Sequence, residues 1–167
     1  MKSEYYQQIK AQYAASRGDA TGLFETLLSI ARDTGLEAAL ACLEECVIGK
    51  RTAWLERNEP GFSRTGDPVA DAFRLFYETY LGLALPGDGE LVEAREKVIT
   101  VRWRNRCPTL EACQKLGLDT RQVCKLAYER PVQLMLQRID PRLRFKRSYA
   151  AIRPWADYCE ETIYLED

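Results

Sequence analysis

Three cysteine residues in the later part of the chain are the strongest candidates for chemistry. They are Cys107, Cys124 and Cys159, and they belong to a sequence of 167 residues that has six cysteines and no histidine. Without an imidazole the chain cannot form a Ser-His-Asp triad, a Cys-His dyad or a histidine metal site. Any catalysis must therefore use thiolates, carboxylates, tyrosine, lysine or arginine.

Cys107 has the most informative position, because Pro108 follows it where a predicted strand ends and a helix begins. A thiol at such a point faces unpaired backbone amides and the positive end of the helix dipole. This setting lowers the pKa of a thiol from about 8.5 to about 4–7. Arg104 and Arg106 would add to the effect. The other interpretation is a buried cysteine that caps the helix passively.

Cys124 and Cys159 are each predicted to lie near a residue that can donate or accept a proton. Cys124 lies one turn into the next predicted helix, with Tyr128 on the same face. Cys159 begins the last predicted strand, after a loop that carries the carboxylate of Asp157. Taken alone, each is also compatible with ordinary packing. The remaining thiols are interpreted as packing residues: Cys42, Cys46 and Cys113.

The cysteine spacing does not match a known metal pattern. There is no C-x-x-C pair, and 107, 124 and 159 fit neither a zinc ribbon nor a ferredoxin. We therefore expect no cofactor. The alternative is that Cys107, Cys124 and Cys159 converge on zinc or an iron–sulfur cluster. A second alternative is a non-catalytic pocket for a small ligand, a metal or a haem-like cofactor, lined by the same thiols and by Trp103, Tyr128 and Trp155.

Helical periodicity dominates the first half of the chain. Apolar residues recur at helical spacing over 5–13, 23–31 and 36–54. Asp67 is predicted to cap a fourth helix with Pro68 at its first position. The sequence Pro-Gly-Asp-Gly at 86–89 is the best internal boundary. Residues 1–85 are therefore predicted to form a helical half.

Residues 90–167 mix strands with helices. Alternating side chains predict a strand over 97–106, and two more strands are predicted over 143–150 and 159–165. A short helix is predicted over 108–116. A longer helix toward Ile139 should kink or split at Pro131, which removes one backbone donor. The predicted fold is α+β, one domain over 1–167, with the helical half packed with a small antiparallel sheet and two further helices.

Composition narrows the class of protein. The chain is 46% apolar and 29% charged with a net charge of −1, which is ordinary for a soluble globular domain. The longest apolar run, 80–85, is too short to span a bilayer, and no apolar signal region follows the first residues. We expect a cytoplasmic protein without a membrane partner. Self-association is left open.

Basic residues alternate on two predicted strands: Arg102, Arg104 and Arg106 on one, and Arg142, Arg144 and Lys146 on the other. If the strands are neighbours, six cations share one face that could bind carboxylates, phosphates or nucleic acid. The last strand, however, offers acidic partners for cross-strand ion pairs: Glu160, Glu161, Glu166 and Asp167. We expect a self-neutralised face, with one arginine turned to a ligand carboxylate, and no nucleic-acid partner.

The order of motifs after Asn105 suggests a family. The chain reads Asn-Arg-Cys-Pro-Thr-Leu-Glu-Ala, Leu-Gly-Leu-Asp and Val-Cys, then Ile-Asp-Pro-Arg-Leu-Arg-Phe and Ala-Asp-Tyr-Cys. From Asn105 to its end it resembles the L-2-amino-thiazoline-4-carboxylate hydrolase-like family. It departs from that pattern at Ala156, where a glycine is expected, and after Cys159, where two glutamates follow. The resemblance implies a small-molecule hydrolase, whose namesake opens a cysteine-derived thiazoline ring to a carbamoyl amino acid.

The residues and the resemblance together predict an enzyme that cleaves a C=N or C–N bond of a small heterocyclic or amide substrate. The thiolate of Cys107 would attack the electrophilic carbon, and Asp157 or Tyr128 would move protons. The remaining pocket residues are predicted to be Cys124, Cys159, Arg104, Arg144, Trp103 and Trp155. A third hypothesis is an interaction protein whose active surface lies in residues 1–85.

Overall fold

The computed structural model describes residues 2–167 and has the α+β fold that the sequence predicts, with a helical first half and a small antiparallel sheet. The α-helices are α1 Ser3–Ala15, α2 Thr21–Thr34, α3 Leu36–Asn58, α4 Pro68–Phe73, α5 Pro108–Leu116, α6 Thr120–Val123 and α7 Arg130–Gln137. A single 3₁₀ turn, Glu59–Gly61, follows α3. Among the described residues, no helix combines the length and apolar character that crossing a membrane requires.

Two stretches of wider helix interrupt this pattern. The first π segment, Arg74–Tyr80, continues α4, and the second π segment, Cys124–Glu129, joins α6 to α7. The widening is visible where the Leu81 N–H donates to the carbonyl of Phe76, five residues back, at 3.0 Å. The helix does not split at Pro131, because α6, the second π segment and α7 follow one another without a break and Pro131 lies inside α7. The wider segment ends two residues before the proline, whose missing N–H and bulky ring disturb the preceding turn. A kink at Pro131 stays a prediction.

The sheet has four strands in the order β1-β2-β4-β3, all antiparallel. The strands are β1 Gly89–Arg95, β2 Val98–Trp103, β3 Leu143–Arg147 and β4 Cys159–Leu165. β2, β3 and β4 confirm the predicted strands, although β2 and β3 are shorter than expected. The sequence did not predict β1. This edge strand has no clean alternation, because a bulge between Leu91 and Glu93 shifts its register.

The chain divides into two compact units, and each is built from two stretches of sequence. The first unit comprises Met1–Lys50 and Cys107–Pro131, and the second comprises Arg51–Arg106 and Val132–Asp167. In the first unit α2 packs against α1 and α5, around a core that includes Phe24, Leu40 and Cys113. In the second unit α4 packs against β2 and β4. The expectation of a single domain over 1–167 stays a prediction.

A buried carboxylate lies in the core of the second unit. Glu161 of β4 is 7% exposed and accepts a hydrogen bond of 2.7 Å from the Tyr77 hydroxyl. Arg147 of β3 donates to the other carboxylate oxygen at 2.8 Å. Arg147 lies directly opposite Glu161 on β3, so the predicted cross-strand ion pair of Glu161 is present, but it is buried on the core side of the sheet and not on the solvated face. Successive strand residues face opposite sides of a sheet, so Glu160 points outward while Glu161 points to the core.

The charged sheet face behaves as predicted. Arg102 donates to Glu160 directly across the β2–β4 pair at 2.8 Å. Arg104 pairs with Glu90 at 3.0 Å, and Arg144 pairs with Glu166 at 2.7 Å. β2 and β3 are not neighbours, because β4 lies between them. The six cations therefore do not form one continuous basic patch, and cross-strand acids neutralise much of their charge.

Gly89 should be among the least replaceable residues of the sheet. A Cβ atom at Gly89 would lie 2.4 Å from the Arg102 carbonyl oxygen and 3.0 Å from the Trp103 ring. We expect Gly89→Ala to lower the free energy of unfolding by about 1–3 kcal/mol, because the backbone of β2 would have to move. Urea denaturation measures this. Gly87→Ala is the matched control, since its nearest neighbour would be 3.8 Å away. Equal stability of the two variants would contradict this packing.

Asp71 should make stability depend on pH. The residue is 2% exposed, and burial raises the pKa of its carboxyl, but hydrogen bonds from Thr65 and Gly66 and the charge of Arg74 bring that pKa below 3.8 overall. A carboxyl whose pKa is lowered by folding stabilises the protein above its unfolded pKa, and loses that contribution as the pH falls through its folded pKa.

We therefore expect Asp71→Asn to lower the free energy of unfolding by about 1–3 kcal/mol near neutral pH. The difference from the wild type should shrink below pH 3.8. Denaturation curves over a pH series measure both effects. Glu78→Gln, which changes an exposed carboxylate of the first π segment, serves as control. A difference that is independent of pH would exclude this role for Asp71.

Candidate functional site

Cys107 is the N-cap of α5, as its position before Pro108 predicts. Its backbone is extended, with φ −125° and ψ 107°, and its Sγ accepts a hydrogen bond from the Leu110 N–H at 3.4 Å. The thiol thus takes the place of the serine, threonine or aspartate oxygen that usually caps a helix. The residue is half-buried, and its thiol is not part of a disulfide. A nucleophilic sulfur here would be stabilised by a backbone amide and still be reachable.

Tyr128 lies beside the first turn of α5. The second π segment carries it, and its hydroxyl is 3.4 Å from the Thr109 hydroxyl, with Thr109 as donor. Burial raises the pKa of Tyr128 well above its usual value, and nearby Cys124 and Cys107 act in the same direction. The phenol therefore stays protonated near neutral pH. It can donate a hydrogen bond, or a proton to a leaving nitrogen more basic than itself, but it is a weaker acid than a solvated tyrosine and a poor general base.

The first unit therefore brings Cys107, Cys124 and Tyr128 into one neighbourhood. Cys124 is half-buried and begins the second π segment, four residues before Tyr128. Thr109 belongs to the same group, although the sequence analysis did not select it. The sequence could have indicated Thr109 as a site residue through its position two residues after a capping cysteine, because such a residue lies in the exposed first turn of a helix.

The three cysteines interpreted as packing residues are buried, which confirms that interpretation. Burial raises the pKa of the Cys113 thiol to about 12, and nearby Cys124 and Cys107 add to the effect. Burial likewise raises the pKa of Cys46 to about 11, with a further contribution from Cys42. These thiols remain protonated and enclosed at neutral pH.

Cys159 belongs to the second unit, where an arginine faces it. Arg153 Nε donates to Cys159 Sγ at 3.3 Å, and Arg153 Nη1 donates to the Asn105 carbonyl at 2.6 Å. The guanidinium thus links the loop before β4 to the segment after β2. Arg153 is not among the residues predicted from the sequence, and this contact was not expected. The sequence feature that could have predicted the contact with Cys159 is a cation six residues before a cysteine, with a tight turn between them.

The loop before β4 also carries Asp157 and Trp155, and both are exposed to solvent. Trp155 is 51% exposed, whereas Trp103 is only 3% exposed. The ring of Trp103 packs against Tyr77 and Phe73, at centroid distances of 4.7 and 6.1 Å. Within the second unit, Trp103 is therefore a core residue, whereas Asp157 lies at the surface.

The two arginines predicted to hold a ligand carboxylate already have protein partners. Arg104 pairs with Glu90 and lies over the Tyr158 ring at 5.4 Å. Arg144 pairs with Glu166 and donates to the carbonyls of Pro141 and Leu143. A ligand would have to displace these contacts. Their role in substrate binding stays a prediction.

Within residues 2–167, no group of three or more Cys, Asp or Glu side chains is placed to hold a metal ion. This includes the alternative set Cys107, Cys124 and Cys159. A surface depression of about 440 Å³ in the first unit is lined by Lys2, Tyr5, Asp33 and Thr34, and it contains none of the predicted site residues.

The reactivity of the six thiols tests this description. Near neutral pH in the folded protein, we expect iodoacetamide to modify Cys107, Cys124 and Cys159, which are half-buried. Cys42, Cys46 and Cys113 should react only after unfolding, because they are enclosed and protonated. Peptide mass spectrometry over time measures the order. Modification of Cys113 as fast as Cys107 would contradict the geometry of the first unit.

Comparisons with protein-family models, with curated proteins and with solved structures found no match to this chain.

Proposed function

We propose that the chain is a small-molecule hydrolase in which Cys107 is the nucleophile. The observation that supports this most directly is the hydrogen bond from the Leu110 amide to Cys107 Sγ, at the start of α5. An N-terminal amide and the helix dipole both favour a thiolate over a thiol. A thiolate formed in this way needs no histidine to remove its proton, which answers the lack of imidazole in the chain.

The proposed reaction begins when the thiolate adds to a C=N or C=O carbon of the substrate. A carbon–sulfur bond forms, and the negative charge that develops is stabilised by the Thr109 N–H and by the positive end of the α5 dipole. The carbon–nitrogen bond then breaks, and the leaving nitrogen takes the phenolic proton of Tyr128, whose oxygen accepts a hydrogen bond from Thr109. Water hydrolyses the thioester or thioimidate, frees the thiolate and returns the proton to the phenol.

The substrate class follows from the residues of the first unit and from the family resemblance. Tyr128 acts as a donor, so the reaction suits a substrate whose leaving atom needs protonation. Cyclic amidines and thiazoline carboxylates meet this requirement. The resemblance to the L-2-amino-thiazoline-4-carboxylate hydrolase-like family, carried by the Cys107-Pro108 pair and the later motifs, points to the same class.

Turnover of cyclic amidines and thiazoline carboxylates by the wild type and by Cys107→Ser tests this proposal. We expect the substitution to lower kcat/KM by at least about 1,000-fold, because the weaker serine nucleophile has no base beside it. Cys42→Ala is the matched control, since it removes a buried thiol of the same unit. Equal turnover by wild type and Cys107→Ser would exclude the mechanism. Binding without turnover, lost in Cys107→Ser, would favour the non-catalytic module.

A further inference from the structure

Arg51 of α3 is a buried guanidinium that has no acidic partner among residues 2–167. In the second unit it is 7% exposed, and its Nε and Nη1 atoms have no hydrogen-bond acceptor in the described part of the chain. The other buried charged side chains of the described chain are Asp71 and Glu161, and both accept several hydrogen bonds. Burying a charge without a partner is costly. The unmet donors of Arg51 therefore require an explanation.

Aromatic rings surround this cation. The guanidinium carbon lies 5.3 Å from the centroid of Phe76 and 5.4 Å from that of Tyr80. The two rings are within 16° of parallel, and Trp54 meets Tyr80 edge-on at 5.0 Å. Ring faces offset part of a positive charge, but they offer no oxygen atom to the N–H groups. The group that this buried cation lacks is an anion that accepts hydrogen bonds from its N–H groups.

The surroundings do not supply that anion. The acids nearest in sequence on the same two segments, Glu56 and Glu78, are exposed, and neither forms an ion pair with Arg51 in the described part of the chain. Trp54 and Tyr80 are only half-buried, so the aromatic group borders the protein surface. A small molecule can therefore reach the cluster by moving side chains that are already partly solvated.

We propose that Arg51, Trp54, Phe76 and Tyr80 form a binding site for a small aromatic or heterocyclic carboxylate. The carboxylate would accept charge-assisted hydrogen bonds from the guanidinium, and the planar ring would pack against Trp54 and Tyr80. The first π segment carries both Phe76 and Tyr80, which are four residues apart and face the same cation. The site lies in the second unit and does not depend on the proposed thiol chemistry of the first.

Sodium benzoate is the probe, and neutral benzamide, which has the same ring, is its control. At constant ionic strength we expect saturating benzoate to raise the Tm of the wild type by about 2–4 °C and to change tryptophan fluorescence. Benzamide should do neither. Arg51→Met should abolish the response, and Arg51→Lys should weaken affinity by about tenfold. Arg57→Met, an exposed arginine on the same helix, should respond like the wild type.

The variants also separate a binding role from a structural one. If Arg51 is retained for a ligand, Arg51→Met should match or exceed the wild-type Tm without benzoate, because an unpaired buried charge is removed. The proposal is overturned if the wild type does not respond to benzoate, if benzamide gives an equal shift, or if Arg51→Met keeps the response. Should Arg51→Met not fold, an undiminished benzoate shift in both Arg51→Lys and Tyr80→Leu would overturn it.

Discussion

The second unit depends on the burial of one carboxylate. Glu161 lies on the core side of β4, and its charge is satisfied by Tyr77 from the first π segment and by Arg147 from β3. Loss of either donor would leave a charge in a nonpolar interior, which is far more costly than loss of an exposed ion pair. The contact therefore favours the arrangement in which the Glu161 face of β4 meets the core, in the register that places Cys159 opposite Trp103.

Arg51 presents the opposite case within the same unit. Glu161 is buried with its partners, whereas Arg51 is buried with aromatic rings and unmet donors. Both involve the first π segment, and the second π segment carries Cys124 and Tyr128 in the first unit. Widened helical turns are rare, and they occur often at functional sites because they redirect side chains that a regular helix would space differently.

Local patterns predicted most of the fold, because they depend on neighbouring residues. Asp67 caps α4 and Cys107 caps α5 as expected, and alternation identified three of the four strands. β1 was missed because its bulge breaks the alternation. The candidate site was predicted only in part: the shared helix face of Cys124 and Tyr128 followed from their spacing, but the contacts of Arg153 with Asn105 and of Arg51 with Phe76 join residues distant in sequence. No local pattern reports such contacts.

The bulge in β1 has a further consequence for behaviour at high concentration. β1 and β3 are the outer strands of the sheet, and an outer strand with exposed apolar residues is a template for pairing with other chains. Leu91 and Val92 are such residues, but the irregular register at this point twists the backbone and interrupts the regular row of donors and acceptors. On β3, Lys146 gives the opposite edge a charge. Both borders of the sheet thus resist fibril-like stacking.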